Sequence, residues 1–190
     1  MPAYTLYSDF TSAECYALSE QLVALGRSGA VTWKGVQQSP GLPMPMRALD
    51  RRAINVLDDE LTELGRRVPG LIIRLPKGKP NTSRAIIAVI SVMRQHPVRA
   101  AAFRDALYRA YWRDGVDLSD MAQLQHVADQ CAVPRFVELD HPDAEDVAND
   151  WDLDWATERL GGVPRVIRKD GKILWGVKSV AEVESFFHDG

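Results

Sequence analysis

The sequence predicts an α/β fold in which a β-α-β unit opens the chain, a β-β-α unit closes it, and a block of helices stands between them. Three observations predict it. Residues 4–25 pass from a β-prone run, "YTLYS", through a break at Ser8-Asp9-Phe10-Thr11 into apolar positions at helical spacing. Residues 163–175 hold two short β-prone runs around Lys169-Asp170-Gly171, and Asp-Gly between such runs is a hairpin signal. After the proline-rich stretch "QQSPGLPMPM" at 37–46, nearly every segment reads as helix until that hairpin.

Taken in order, residues 3–8 form the first strand. Cys15, Leu18, Leu22 and Leu25 recur at three to four, so the spacing predicts a helix over 12–25, which Gly26 and Gly29 close. "AVTWKGV" at 30–36 follows as the second strand, and a parallel crossover is the natural way to join the two. Helices are predicted at 47–66, 82–95, 97–113 and 118–131, the last capped by Asp117 or Ser119. The apolar piece "LIIRLP" at 71–76 has no assigned state, and the acidic segment 134–160 is expected to be mostly helical. Strands at 163–167 and 172–175 and a helix over 177–188 end the chain. The expected organisation is one sheet domain, residues 1–40 and 160–190, interrupted by a helical insertion over 41–159.

Composition narrows the function. The chain has 190 residues, 46% hydrophobic and 26% charged, enough for one well-cored domain with an insertion. A net charge of −3 and a pI near 5.8 leave no basic stripe for nucleic acid. The start reads as no secretory signal, and the longest apolar stretch, "AIIAVISVM", is too short to span a bilayer. Cys15 and Cys131 are too few for a disulfide framework, so the cytoplasm is the expected compartment. The four histidines show no ligand spacing, and no metal site is predicted.

The turn "SDFTSAEC" at 8–15, the loop "GGVP" at 161–164, the strand end "ILWG" at 173–176, and the helical stretches "KPNTSRA" at 79–85 and "FRDALYRAYWRDGVDLSD" at 103–120 occur in a telling order. Together they resemble the DsbA family of the thioredoxin fold. Within it they resemble the branch of 2-hydroxychromene-2-carboxylate isomerase and the kappa-class glutathione transferases. The resemblance covers nearly the whole chain and implies a thioredoxin fold with a helical subdomain inserted between its halves.

Where that family has Cys-x-x-Cys, this chain has Ser12 first and Cys15 second. A hydroxyl cannot form a disulfide, so an internal dithiol cycle is out. The isomerase and kappa branch implies a different use. Ser12 faces the sulfur of bound glutathione and, with the helix N-terminus, favours its thiolate. The substrate class so implied is a small aromatic or unsaturated molecule. The resemblance further implies a cis bond at Pro164, with the backbone of Val163 pairing with the cysteinyl part of the ligand. Asn81 matches an asparagine beside the cofactor in relatives. Relatives carry Asn-Asp after Trp-Gly to hold the γ-glutamyl end; Val177-Lys178 stand here, and Ser179 is the candidate for that contact. Kappa-type relatives are often dimers, so a homodimer is implied.

Each of these residues has a plainer reading beside the functional one. Ser12 is a good N-cap in any helix, and Asn81 or Thr82 would cap the helix they precede. Cys15 at the third helical position and Cys131 read as small core residues. Five tryptophans (Trp33, Trp112, Trp151, Trp155, Trp175) either line an aromatic cleft or fill the core. Glu14 puts a carboxylate beside a site meant for an anion, and Arg165 either favours an acidic ligand or pairs with Glu14. Three functions follow: a glutathione-dependent isomerase or transferase using Ser12, a monothiol oxidoreductase or redox sensor using Cys15, and a non-catalytic binding protein.

Overall fold

The computed structural model describes residues 3–157 and 161–188. Strand β1 (Tyr4–Ser8), helix α1 (Ala13–Ala24) and strand β2 (Thr32–Gly35) form the opening unit, with a 3-10 turn at Ser28–Ala30 before β2. Strands β1 and β2 are parallel, Leu6 opposite Trp33. Helix α1 starts where it does because Ser12 has extended dihedrals (φ −91°, ψ 119°) and its side chain accepts from the Cys15 N–H.

The middle of the chain contributes β3 (Arg47–Ala48), α2 (Arg51–Arg67), β4 (Gly78–Lys79), α3 (Ser83–Gln95), α4 (Pro97–Asp114), α5 (Met121–Gln130) and α6 (Asp143–Thr157). The closing unit is β5 (Arg165–Arg168), β6 (Ile173–Trp175) and α7 (Val180–His188), and the hairpin turns at Gly171, φ +85°. Strand β5 enters the sheet antiparallel to β1, giving the order β2-β1-β5-β6. This is the predicted thioredoxin arrangement, and its core runs unbroken from the sheet into the helices. Leu6, Phe10, Trp33, Ile86, Phe103, Tyr108 and Trp112 belong to one buried cluster.

Several boundaries differ from expectation, each for a local reason. The helix predicted from 47 begins at Arg51, since Asp50 caps it by accepting from the Ala53 N–H at 2.8 Å. Arg47 and Ala48 instead pair antiparallel with Lys79 and Gly78. A Cβ at Gly78 would collide with the Arg47 carbonyl, so the close pairing requires glycine there. Helix α5 is capped by Asp120, whose carboxylate accepts from the Ala122 N–H at 2.8 Å. Asp117 is occupied by Ser119 and by the Met46 N–H. Residues 71–76 form no helix or strand; Tyr16 donates to the Ile72 carbonyl at 2.7 Å and the Arg74 N–H donates to Trp112 at 2.8 Å. The acidic segment is helical only from Asp143, and its last residues, 158–160, lie outside the described residues. Among the described residues no helix is long and apolar enough to cross a membrane.

Candidate functional site

The site grows from the break between β1 and α1. Asp9 is 1% exposed, and one carboxylate oxygen accepts from the Thr11 N–H (2.9 Å) and hydroxyl (3.0 Å). Its other oxygen accepts from the Gln38 N–H at 2.9 Å. The Phe10 carbonyl accepts from the Trp112 indole at 2.9 Å, and the Ser12 N–H donates to the Asp9 carbonyl at 3.2 Å. The turn is thus tied to α4 and to the segment after β2 before α1 begins. Burial pushes the Asp9 carboxyl above its ordinary range, opposed by those three hydrogen bonds and the charge of Lys79.

Ser12 is half-buried and caps α1, its Oγ accepting from the Cys15 N–H at 3.3 Å. It lines a cavity of about 480 Å³ together with Thr11, Gln38, Lys79, Val163 and, from α2, Glu60. That volume lies in the range of small-molecule sites. The Val163-Pro164 bond is cis, as expected, and Val163 lines the same cavity as Ser12. A second cavity of about 370 Å³ adjoins the first, sharing Thr11, Leu57, Glu60 and Lys79 with it. Its remaining wall is mostly apolar and includes Val56, Tyr111 and Trp112.

Cys15 is not placed to act as a nucleophile. It is 2% exposed, and burial pushes its thiol up to about 12 despite help from Ser12, Ser8 and the Asp9 N–H, which donates to its sulfur at 3.4 Å. A reactive cysteine needs the reverse, an exposed thiol with a depressed pKa, so Cys15 belongs to the core.

Two further candidates are engaged structurally. Asn81 is buried, and its amide donates to the Pro40 and Leu42 carbonyls at 2.9 and 3.0 Å while its oxygen accepts from the Ser83 N–H. It ties the proline-rich loop to the start of α3. Ser179 exchanges hydrogen bonds with Glu182: its hydroxyl accepts from the Glu182 N–H at 3.3 Å, and the Glu182 carboxylate accepts from the Ser179 N–H at 3.0 Å. That reciprocal pair is a capping box for α7.

Glu14 does not pair with Arg165, one of the two expectations for that arginine. Glu14 pairs with Arg67 of α2 at 2.8 Å, and Arg67 also donates to the Val177 carbonyl at 3.1 Å. Arg165 lies over the Trp175 ring, 5.3 Å from its centroid, and Trp175 is largely exposed. Of the other tryptophans, Trp33 meets Trp151 edge-on and Trp155 packs on Tyr7, so only Trp112 borders the site's cavities. Among the described residues no group of His, Cys, Asp and Glu could hold a metal ion.

Sequence reasoning missed Asp9, Thr11, Arg67 and Lys79. The Asp-x-Thr spacing at 9–11 was a legible turn signal, because an aspartate commonly accepts from the backbone two residues on. Nothing local pointed to Arg67 or Lys79.

The DSBA-like thioredoxin domain family matches residues 5–188. Among solved structures the chain is similar to a Nitrosomonas europaea protein named as a protein disulfide isomerase, at 18% identity and a TM-score of 0.76, over 98% of this chain and 95% of that one. It is similar to 2-hydroxychromene-2-carboxylate isomerase at 18% identity and a TM-score of 0.73, over 98% and 94%. It is also similar to the cytosolic disulfide reductase DsbM of Pseudomonas aeruginosa, a structure with glutathione, at 12% identity and a TM-score of 0.70, over 97% and 98%. No curated protein matches the sequence. At these identities the structural likeness concerns the fold.

Proposed function

We propose, from the premise that this chain belongs to the DSBA-like thioredoxin family, that it binds glutathione with the cysteinyl sulfur against Ser12 and acts as an isomerase or transferase on a small unsaturated or aromatic substrate. The observation that carries this reading is that Ser12 and Val163, from opposite ends of the chain, line one cavity of small-molecule size. A thiolate held there is a nucleophile toward electron-poor carbon. The chain's part is to bind the thiol and keep it ionised. The Ser12 hydroxyl can donate to the sulfur while still accepting from the Cys15 N–H, and the first turn of α1 supplies the positive end of the helix dipole. Hydrogen bonds to a charged group are worth about 1.5–3 kcal/mol each, which corresponds to one to two pKa units. The Val163 backbone would pair with the cysteinyl backbone as a short strand does.

Two features support the reading further. Arg67 takes up the charge of Glu14, so that carboxylate does not face the bound anion alone. The adjoining apolar cavity offers room for a second substrate next to the sulfur. The burial of Cys15 weighs against a monothiol redox cycle at this turn.

Calorimetric titration with glutathione, in parallel with Ser12→Ala and Ser12→Thr, tests the proposal. The expected result is binding that weakens about tenfold or more in Ser12→Ala and is largely kept in Ser12→Thr. Absence of binding to the native protein at millimolar glutathione would refute it.

A further inference from the structure

Lys79 lines both cavities at the site. It sits on the two-residue strand β4, opposite Arg47, and the Tyr111 hydroxyl donates to the carbonyl of the preceding Gly78 at 3.1 Å. Its ammonium has one hydrogen-bond partner, the Ser39 hydroxyl at 3.5 Å, and makes no ion pair with a described residue. Among the residues lining the Ser12 cavity it is the one cation.

The other charges facing that space are known by element. Glu14 comes from α1 and is paired with Arg67, and Glu60 comes from α2. Asp9, which does not line the cavity, accepts from Thr11 and is close enough for Lys79 to act on its carboxylate. Asp50 and Arg52, at the start of α2, line only the second cavity. Without Lys79 an anion at Ser12 would share the cavity with Glu60 and the paired Glu14, with only a hydroxyl and helix N–H groups in its favour. Ser12 and Lys79 line one cavity, and opposite charges attract more strongly the less water screens them.

We propose that Lys79 is the counter-charge of the ionised sulfur at this site, which rests on the thiol-binding reading above. The S–H bond breaks, the proton leaves to solvent, and the electron pair stays on a sulfur held between the α1 N-terminus and the Lys79 ammonium. The Lys79 ammonium forms no ion pair with a described residue because its ionic partner is the ligand.

Two measurements test this separately from the glutathione reading. In the first, Ser12→Cys places a thiol of the protein's own at the site, in a Cys131→Ser background, and its ionisation is followed by alkylation rate against pH. Adding Lys79→Met should raise that thiol's pKa by about one unit, a tenfold loss of thiolate below it, and Lys79→Arg should restore it. An unchanged pKa in Lys79→Met would overturn the proposal whether or not glutathione binds. In the second, Lys79→Met should weaken binding of glutathione about tenfold near neutral pH while leaving S-methylglutathione, which has no thiol, unaffected. Equal weakening of both would show that Lys79 reads a carboxylate of the ligand instead, and would also overturn it. Failure of glutathione to bind the native protein, with the Ser12→Cys thiol still responding to Lys79, would remove the proposed function and leave this inference standing.

Discussion

Arg67, near the end of α2, closes an ion pair on Glu14 in the first turn of α1, with 2.8 Å between guanidinium and carboxylate. Both side chains are over a third exposed, so the pair is worth at most about 1 kcal/mol to stability. Its consequence is electrostatic, because Glu14 lines the cavity of Ser12.

Arg67→Ala is therefore expected to leave the melting temperature nearly unchanged and to weaken glutathione binding by about two- to fivefold at low salt, less at high salt. Glu14→Gln in the same background should recover the loss. Calorimetry of the two variants at two ionic strengths checks this. A large drop in stability with no change in affinity would make the pair structural only.

Cys15 is expected to resist alkylation in the native protein at pH 8 and to react fully once unfolded. Its folded pKa is raised above the ordinary 9.0, to about 12, so the folded state holds the proton more tightly. The stability this contributes is fully present below about pH 9 and is lost as pH rises toward 12. By pH 10 the loss is on the order of 1 kcal/mol. Urea melts at pH 8 and pH 10, with Cys15→Ala as a control lacking this slope, measure it.

Asn81 and Ser179 should separate from the ligand site in mutants. Asn81→Ala removes two donated hydrogen bonds and one accepted, all from a buried amide. A loss of about 2–3 kcal/mol in chemical denaturation is expected, with faster proteolysis in the 40–45 loop. Ser179→Ala should cost about 1 kcal/mol through the cap of α7. Glutathione affinity unchanged within twofold in Ser179→Ala would fit the capping role, and a tenfold fall would return Ser179 to the ligand.

The parts of this protein legible in its sequence are those built from neighbours. The strand-to-helix switch at 4–25, the serine that caps α1 and the Asp-Gly hairpin are each specified within a few residues by periodicity, capping and turn chemistry, whereas the cis bond at Pro164 was legible only through the family resemblance. Their order along the chain pointed to one sheet built from both halves, and the resemblance it carries implied that the Val163 loop faces the start of α1.

What the tertiary structure alone decided is which long side chain meets which charge, and which polar group is used up by the fold. The partner of Glu14 is 53 residues away on a helix, and the amide of Asn81 is spent on carbonyls about forty residues back. Arg165, the partner expected for Glu14, lies over Trp175 instead. Lys79 lines the site because β3 and β4 pair across a glycine, a contact no local pattern announces. Burial of Cys15 likewise follows from the packing of α1 on the sheet and α4, not from its spacing to Ser12. Local conformation is encoded by a residue's immediate neighbours, whereas ion pairing, burial and cavities depend on which distant surfaces packing brings within a few ångströms.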